Sequence, residues 1–256
     1  HLLSYAQQKL SVDLTGCRSM DELLIRVEKY QSRYQRKFIV GRGWDQSLWS
    51  NDSFPDNTQL NKLFPKTPVC LTRIDGHALL ANEAALKLSV IQSDTKIEGG
   101  IITLKNGKCT GLLVDKAMEP LLSKIPAFPK KELIETFKEI ENELYQYGIT
   151  GVHEAGISHS DISFFKELVD RHEFRLNVYA MLLPSQENFA FARKNGIYKH
   201  KNLLIRSFKV MADGALGSRG ALLKKPYSDQ HGHFGVLTTS LSEMKKVAVV
   251  CEETGY

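Results

Sequence analysis

No stretch of this chain reaches the ~18 consecutive apolar residues of a membrane-crossing helix, so no transmembrane span and no membrane partner are expected. Cysteine is scarce. Cys17, Cys70, Cys109 and Cys251 lie far apart and none forms a C-x-x-C pair, which argues against a disulfide framework. Neither G-x-G-x-x-G nor G-x-x-x-x-G-K-[ST] follows any predicted strand, which removes the doubly wound nucleotide-binding proteins from consideration. No signal-peptide pattern opens the chain, and a cytoplasmic location is expected. Because the chain opens at His1 rather than at a methionine, an upstream segment is expected to have been removed. Internal repeats and low-complexity segments are also absent.

What is there fits an ordinary globular protein. The 256 residues are 42% apolar and 25% charged, enough for one large domain or two small ones. The net charge of +5 comes from scattered basic residues such as Lys130 and Lys131, Lys224 and Lys225, Lys245 and Lys246. No RNA-binding aromatic motif or zinc-finger spacing accompanies them. They read as solvated lysines, and no nucleic-acid partner is expected.

Periodicity supplies the elements. Ser19 and Glu22 form an S-x-x-E capping box, and Leu23, Leu24, Val27, Tyr30 and Tyr34 follow at helical spacing, predicting a helix over 20–34. Strands are predicted at 38–40 and 68–73, and a short helix at 81–88. A hairpin over 100–114 turns at Asn106-Gly107. From residue 129 the character changes. Leu133, Phe137, Ile140, Leu144 and Tyr147 step by three and four, an amphipathic helix. Strand 149–153, helix 160–172, strand 174–182, helix 186–195, strand 203–211, a long loop over 212–239 and a helix from Ser240 to about 253 follow. Such alternation implies parallel strands with helical crossovers. The domains expected are 1–128, holding the start of a barrel plus an inserted α+β part, and 129–256, holding βα units. The fold class expected is α/β, a partial (β/α)8 barrel with an α+β insertion after its first strand. With only three such strands, two sheet edges stay open, and the isolated chain is expected either to be marginally stable or to complete itself by association, with another segment of the same protein or with a second copy as a homo-oligomer.

Five blocks in order resemble one family. They are Gly41-Arg42-Gly43-Trp44-Asp45-Gln46; Pro68-Val69-Cys70-Leu71-Thr72-Arg73-Ile74-Asp75-Gly76-His77; Thr110 to Asp115 with Gly99-Gly100; Gly148-Ile149-Thr150-Gly151-Val152-His153-Glu154-Ala155; and Lys209 to Arg219, continued by Pro226-Tyr227-Ser228-Asp229. Together these resemble amidohydrolase family 3, the YtcJ-like and formamide-deformylase-like metal-dependent hydrolases. In the fourth block Glu154 stands where the family more commonly has aspartate.

The resemblance implies a hydrolase of amide or related C–N bonds, acting on a small-molecule substrate with water activated by a divalent metal, zinc by default. It also implies roles for particular residues. His1 matches the second histidine of the family's H-x-H metal pair, although a terminal histidine is ordinarily plain surface. Lys209 matches a lysine that carries a carbamate and binds metal; by itself a strand-end lysine is often surface. Asp213 is assigned a catalytic role, and Ser218 and Arg219 join it in the substrate-binding loop, where Asp213-Gly214 could equally be a simple turn. His153, at a strand end, is either an active-site residue or a satisfied structural histidine. Trp44, Asp75 and His77 are expected to wall the substrate pocket, or in the case of Trp44 merely to pack. The first histidine of the pair and the family's later ligands fall outside the sequence. The alternative reading is therefore a catalytically incomplete segment without metal or activity of its own.

Overall fold

Two short elements, α1 (Leu2–Lys9) and β1 (Val12–Asp13), open the chain in the computed structural model, which describes all residues except 52, 172–173, 215 and 217–219. The protein is α/β, and its strands form two mixed sheets. The chain divides into two compact units: residues 4–136, and residues 137–256 together with the first three residues.

The first unit follows the expected helix closely. α2 (Met20–Tyr34) starts at Ser19, whose hydroxyl accepts the Glu22 N–H, and buries Leu23, Leu24 and Val27. The Glu22 carboxylate reaches the N–H of Arg18 at 2.9 Å, so it serves the residue before the cap. β2 (Ile39–Trp44), α3 (Thr58–Leu63), β3 (Val69–Arg73), β4 (Ala78–Ala81), α4 (Glu83–Leu88), β5 (Gly100–Lys105), β6 (Lys108–Asp115) and α5 (Glu119–Leu122) complete the unit. The sheet order is β1-β2-β3-β4-β6-β5, with β1, β2 and β3 parallel and the remaining pairs antiparallel. Residues 78–81, at the edge of the predicted 81–88 helix, form β4 instead: they pair with β3, and the helix begins only after Asn82 caps it. The hairpin turns where expected, with Asn106 and Gly107 both at positive φ, as a tight two-residue connection needs.

This sheet is covered on both faces because side chains alternate along each strand. Leu71, Leu80 and Leu112 join one core cluster with Leu23, Val27 and Trp44. Cys70, Leu79 and Leu113 join another with Met118 and Leu121. Gly43, at φ 112, lies so close to the preceding loop that a Cβ would sit 2.5 Å from Thr15 Oγ1 and 2.8 Å from its backbone nitrogen. That contact, not chemistry, explains the second glycine of the G-x-G-W-D block.

α6 (Lys130–Gln146) carries the predicted apolar stripe, with Leu133, Phe137 and Ile140 buried. Tyr147 falls outside it: the helix stops at Gln146 and Tyr147 is 77% exposed. The second unit then runs β7 (Gly151–Ile157), α7 (His159–Asp170), β8 (Asn177–Leu182), α8 (Gln186–Asn195), β9 (Tyr198–His200), β10 (Leu203–Phe208) and α9 (Leu241–Thr254). The order is β7-β8-β10-β9, with the first three parallel. β7 begins later and runs further than the predicted 149–153, because a register shift between Ala155 and Ile157 lets pairing with β8 continue to its end. β10 stops at Phe208 rather than 211, since Lys209 makes the last backbone bond to Leu182 and the chain then turns away. Helix α7 ends at Asp170, and position 172 lies outside the described residues.

β9 is an element the sequence did not announce. It folds back antiparallel on β10 through Lys201, which sits at φ 52, and so covers part of an edge that was expected to be free. Val178, Ala180 and Leu182 of β8 and Leu203 and Ile205 of β10 are buried, as are Phe137, Phe165 and Phe174 from the flanking helices and loops. Phe137 meets Phe164, Phe165 and Phe174 edge to face, with centroids 5.5–6.0 Å apart. The alternate residues of β8, Asn177, Tyr179 and Met181, are exposed or half-buried.

Candidate functional site

The carboxyl ends of β7, β8 and β10 are stitched together. Leu183 N–H donates to the Ile157 carbonyl at 2.9 Å, and Lys209 N–H donates to the Leu182 carbonyl at 2.8 Å. Asn188, wholly buried on α8, donates its side-chain amide to the carbonyls of Ile157 at 3.2 Å and Leu183 at 2.8 Å. In parallel α/β folds this end of the sheet carries the functional loops.

Lys209 is placed there. It is half-buried, and its ammonium has no ion-pair partner among the described residues. It lines a cavity of about 400 Å³ together with Leu183, Ser185, Phe189, Thr239 and Val247. The wall mixes an apolar strip with hydroxyls and the charged Glu243 and Lys246. Ser185 caps α8 through Asn188 N–H, Thr239 donates to the Met211 carbonyl at 2.6 Å, and Glu243 accepts from Ser240.

Asp213 begins the long loop. Its Oδ2 accepts the Leu222 N–H at 2.8 Å, and its backbone bridges to Leu237. The loop closes on itself further through Val236 N–H to Gly220 and Leu223 N–H to Phe234. Asp213 is exposed and organises the loop. Ser218 and Arg219, expected to bind substrate from the same loop, lie outside the described residues.

At β7 the structure brings together a pair that only half the sequence reading named. His1 Nδ1 lies 3.9 Å from Glu154 Oε1, with the imidazole largely exposed and the carboxylate buried. The same carboxylate accepts the backbone N–H groups of Leu2 and Leu3. Burial pushes the Glu154 pKa up, and the nearby amino group and the two N–H donors pull against it. The signal for Glu154 was on view: a charged residue inside a strand of small and apolar ones. Its neighbour His153 faces the other way, exposed, with its ring 4.9 Å from that of Tyr179. Tyr179 in turn donates to Ser207 at 3.0 Å. His153 sits in the body of β7, opposite the middle of β8 and four residues short of the strand end.

The remaining candidates belong to the first unit. Trp44 has no exposed surface: its indole N–H donates to the Leu71 carbonyl at 2.7 Å and its ring packs against Trp49 and Phe54. A ring so enclosed serves the core of that unit rather than a pocket wall. Asp75 is engaged with Arg73, which also bonds Asp45 at 2.7 Å and Gln46 at 2.8 Å. Arg73 therefore locks the end of β2 to the end of β3, and the two sequence blocks that carry these residues are two halves of one polar network. His77 Nδ1 pairs with Asp115 at 2.9 Å in an exposed position.

Among the described residues no three histidine, cysteine, aspartate or glutamate side chains converge closely enough to hold a metal ion. His1 and Lys209 have suitable donor chemistry, but the described residues do not make a metal site by themselves. No described helix is long and apolar enough to cross a membrane.

Comparison with known proteins places the chain. The profile of the Amidohydrolase family matches residues 1–256, and the chain belongs to that family. It is 28% identical over 246 residues to "Putative amidohydrolase YtcJ" of Bacillus subtilis (strain 168), a match covering 92% of this chain and 46% of that protein. It is 25% identical to "Protein LONG AFTER FAR-RED 3" of Arabidopsis thaliana, covering 100% of this chain and 46% of that protein. Crystal structures of uncharacterized metal-dependent hydrolases from Pyrococcus furiosus and Pyrococcus horikoshii OT3 superpose with TM-scores of 0.78 and 0.79, each at 25% identity. Each superposition covers the whole of this chain, and 51% and 50% of the respective structures. The chain thus spans about half the length of the curated relatives it matches. Its structural neighbours are described as metal-dependent hydrolases.

Proposed function

We propose that the whole protein is a divalent-metal hydrolase of an amide or related C–N bond, built on a (β/α)8 barrel to which β7, β8 and β10 contribute three strands and residues 4–136 an inserted part. The metal proposed is zinc. Family membership over the full chain supports the hydrolase class, and metal-dependent neighbours support the cation. The observation that carries the site is the position of Lys209: first residue past the third parallel strand, bonded through its N–H to β8, lining a cavity and with no carboxylate partner among the described residues.

In this reading Lys209 reacts as the neutral amine with carbon dioxide. A C–N bond would form with loss of a proton, and the oxygens of the resulting carbamate would help to hold the metal. His1 supplies a ring nitrogen. Two donors do not complete a site, and further ligands would be needed from the whole protein. When bound, such a metal brings the pKa of its water to about 7. Asp213 shapes the loop that admits substrate, joined by Ser218 and Arg219, and the cavity beside Lys209 receives part of a small amide-like molecule. The test is hydrolysis of a panel of N-acyl and N-formyl compounds by the full-length protein, before and after chelation. Activity that chelation abolishes and zinc restores is expected; hydrolysis untouched by chelation contradicts the metal reading.

A second reading concerns the 256 residues alone: by themselves they hold no stoichiometric metal and hydrolyse nothing. Elemental analysis of the isolated chain is expected to give well under one zinc per molecule. One or more tightly held zinc ions contradicts this.

A further inference from the structure

Glu154 lies in β7 between His153 and Ala155, with a side chain only 3% exposed. Burying a carboxylate is unfavourable unless hydrogen bonds match it. Here the match comes from far along the chain. Oε2 accepts the N–H of Leu2 and, at 3.3 Å, the N–H of Leu3. These are first-turn donors of α1, which have no partner within the helix. Negative charge at that end also suits the helix dipole. Oε1 meanwhile lies 3.9 Å from His1 Nδ1. A second buried glutamate of the same unit, Glu141, grips backbone in the same manner, accepting the N–H groups of Arg175 and Leu176 at the approach to β8. The difference is what each grip carries: the turn held by Glu154 bears His1.

We propose that Glu154 is a positioning residue, whose carboxylate fixes the first turn of α1 and thereby holds the His1 imidazole beside β7. What His1 does from that position rests on the metal reading above; the position itself does not.

The test is amide hydrogen exchange and histidine-ring NMR on this chain, with Glu154→Gln, Glu154→Met and Glu154→Asp. Glutamine keeps an acceptor at the same reach, methionine keeps only the length, and aspartate keeps the charge with one methylene less reach. In Glu154→Met the Leu3 amide is expected to lose about ten-fold or more of its protection, and the His1 ring signals to move to those of an unrestrained histidine. Leu176, held by Glu141, is expected to stay protected, which separates a local effect from unfolding. Glu154→Gln is expected to restore most of the Leu3 protection. Unchanged Leu3 exchange in Glu154→Met, or glutamine performing no better than methionine, overturns the proposal. Should the methionine variant not fold, Glu154→Asp decides: loss at Leu3 with Leu176 unmoved supports the proposal, and no loss at Leu3 overturns it. A parallel measurement of zinc affinity on the full-length protein keeps the two ideas apart. Lost Leu3 protection with zinc binding weakened about ten-fold or more, the usual consequence of removing a group that orients a ligand, supports both. Lost protection with unchanged zinc affinity leaves the positioning intact and refutes His1 as a ligand.

Discussion

The two units spend their polar residues differently. In residues 4–136 the sheet is covered on both faces, and the motif side chains turn inward on their own unit: Trp44 bonds Leu71, and Arg73 binds Asp45, Gln46 and Asp75. In residues 137–256 the three parallel strands bury one set of side chains and leave the alternate set more open, and Lys209, standing at their carboxyl ends, has no ion-pair partner among the described residues. The blocks of the first unit thus serve its own fold, whereas in the reading proposed above those of the second carry the reactive groups. Stability and activity should accordingly separate when the units are mutated.

The largest expected effect is on stability in the first unit. Trp44→Ala removes a fully buried indole and its hydrogen bond, and should cost about 3–5 kcal/mol in denaturant unfolding. A loss under about 1 kcal/mol would place the ring outside the core. Next is Arg73→Ala, which leaves Asp45 and Asp75 without their shared cation. Roughly 1–3 kcal/mol is expected, and tight metal binding by the full-length protein should be unaffected. A large loss of metal instead would move the Arg73 network into the active site and erase the contrast.

A smaller effect is expected at Arg36 and Glu132, a paired-contact bridge also within the first unit. The hydrogen bonds from Arg36 hold the Glu132 carboxyl below the ordinary carboxylate range, against the opposing effect of burial. A carboxylate with a depressed folded pKa contributes stability that is fully present above its unfolded value, about 4.3, and is lost as pH falls through the lower folded value. Glu132 is 36% exposed, so the contribution is screened and should be below about 1 kcal/mol. Glu132→Gln should flatten that part of the pH–stability profile, and an unchanged acid limb would show that the pair contributes nothing.

Much of the fold was legible because periodicity is a local property. The stripes of α2 and α6, the Asn106-Gly107 turn and the alternation of strands and helices after residue 129 all follow from spacing alone. What was not legible depends on partners distant in sequence. β4 and β9 are strands only because β3 and β10 lie beside them. The burial of Trp44 and the reach of Glu154 to Leu2 are likewise tertiary facts. For the site, the position of Lys209 at a strand end could be read within one residue or two, whereas Asn188 gave no signal: nothing in an isolated helix marks an asparagine that will bridge two strand ends.

The central claim is that Lys209 serves metal and chemistry rather than structure, and one substitution addresses it directly. In the full-length protein, Lys209→Ala should leave thermal melting of the metal-free form within the range of a surface change, about ±0.5 kcal/mol, while bound zinc and amide hydrolysis disappear together. Retention of both metal and activity in Lys209→Ala would contradict the account.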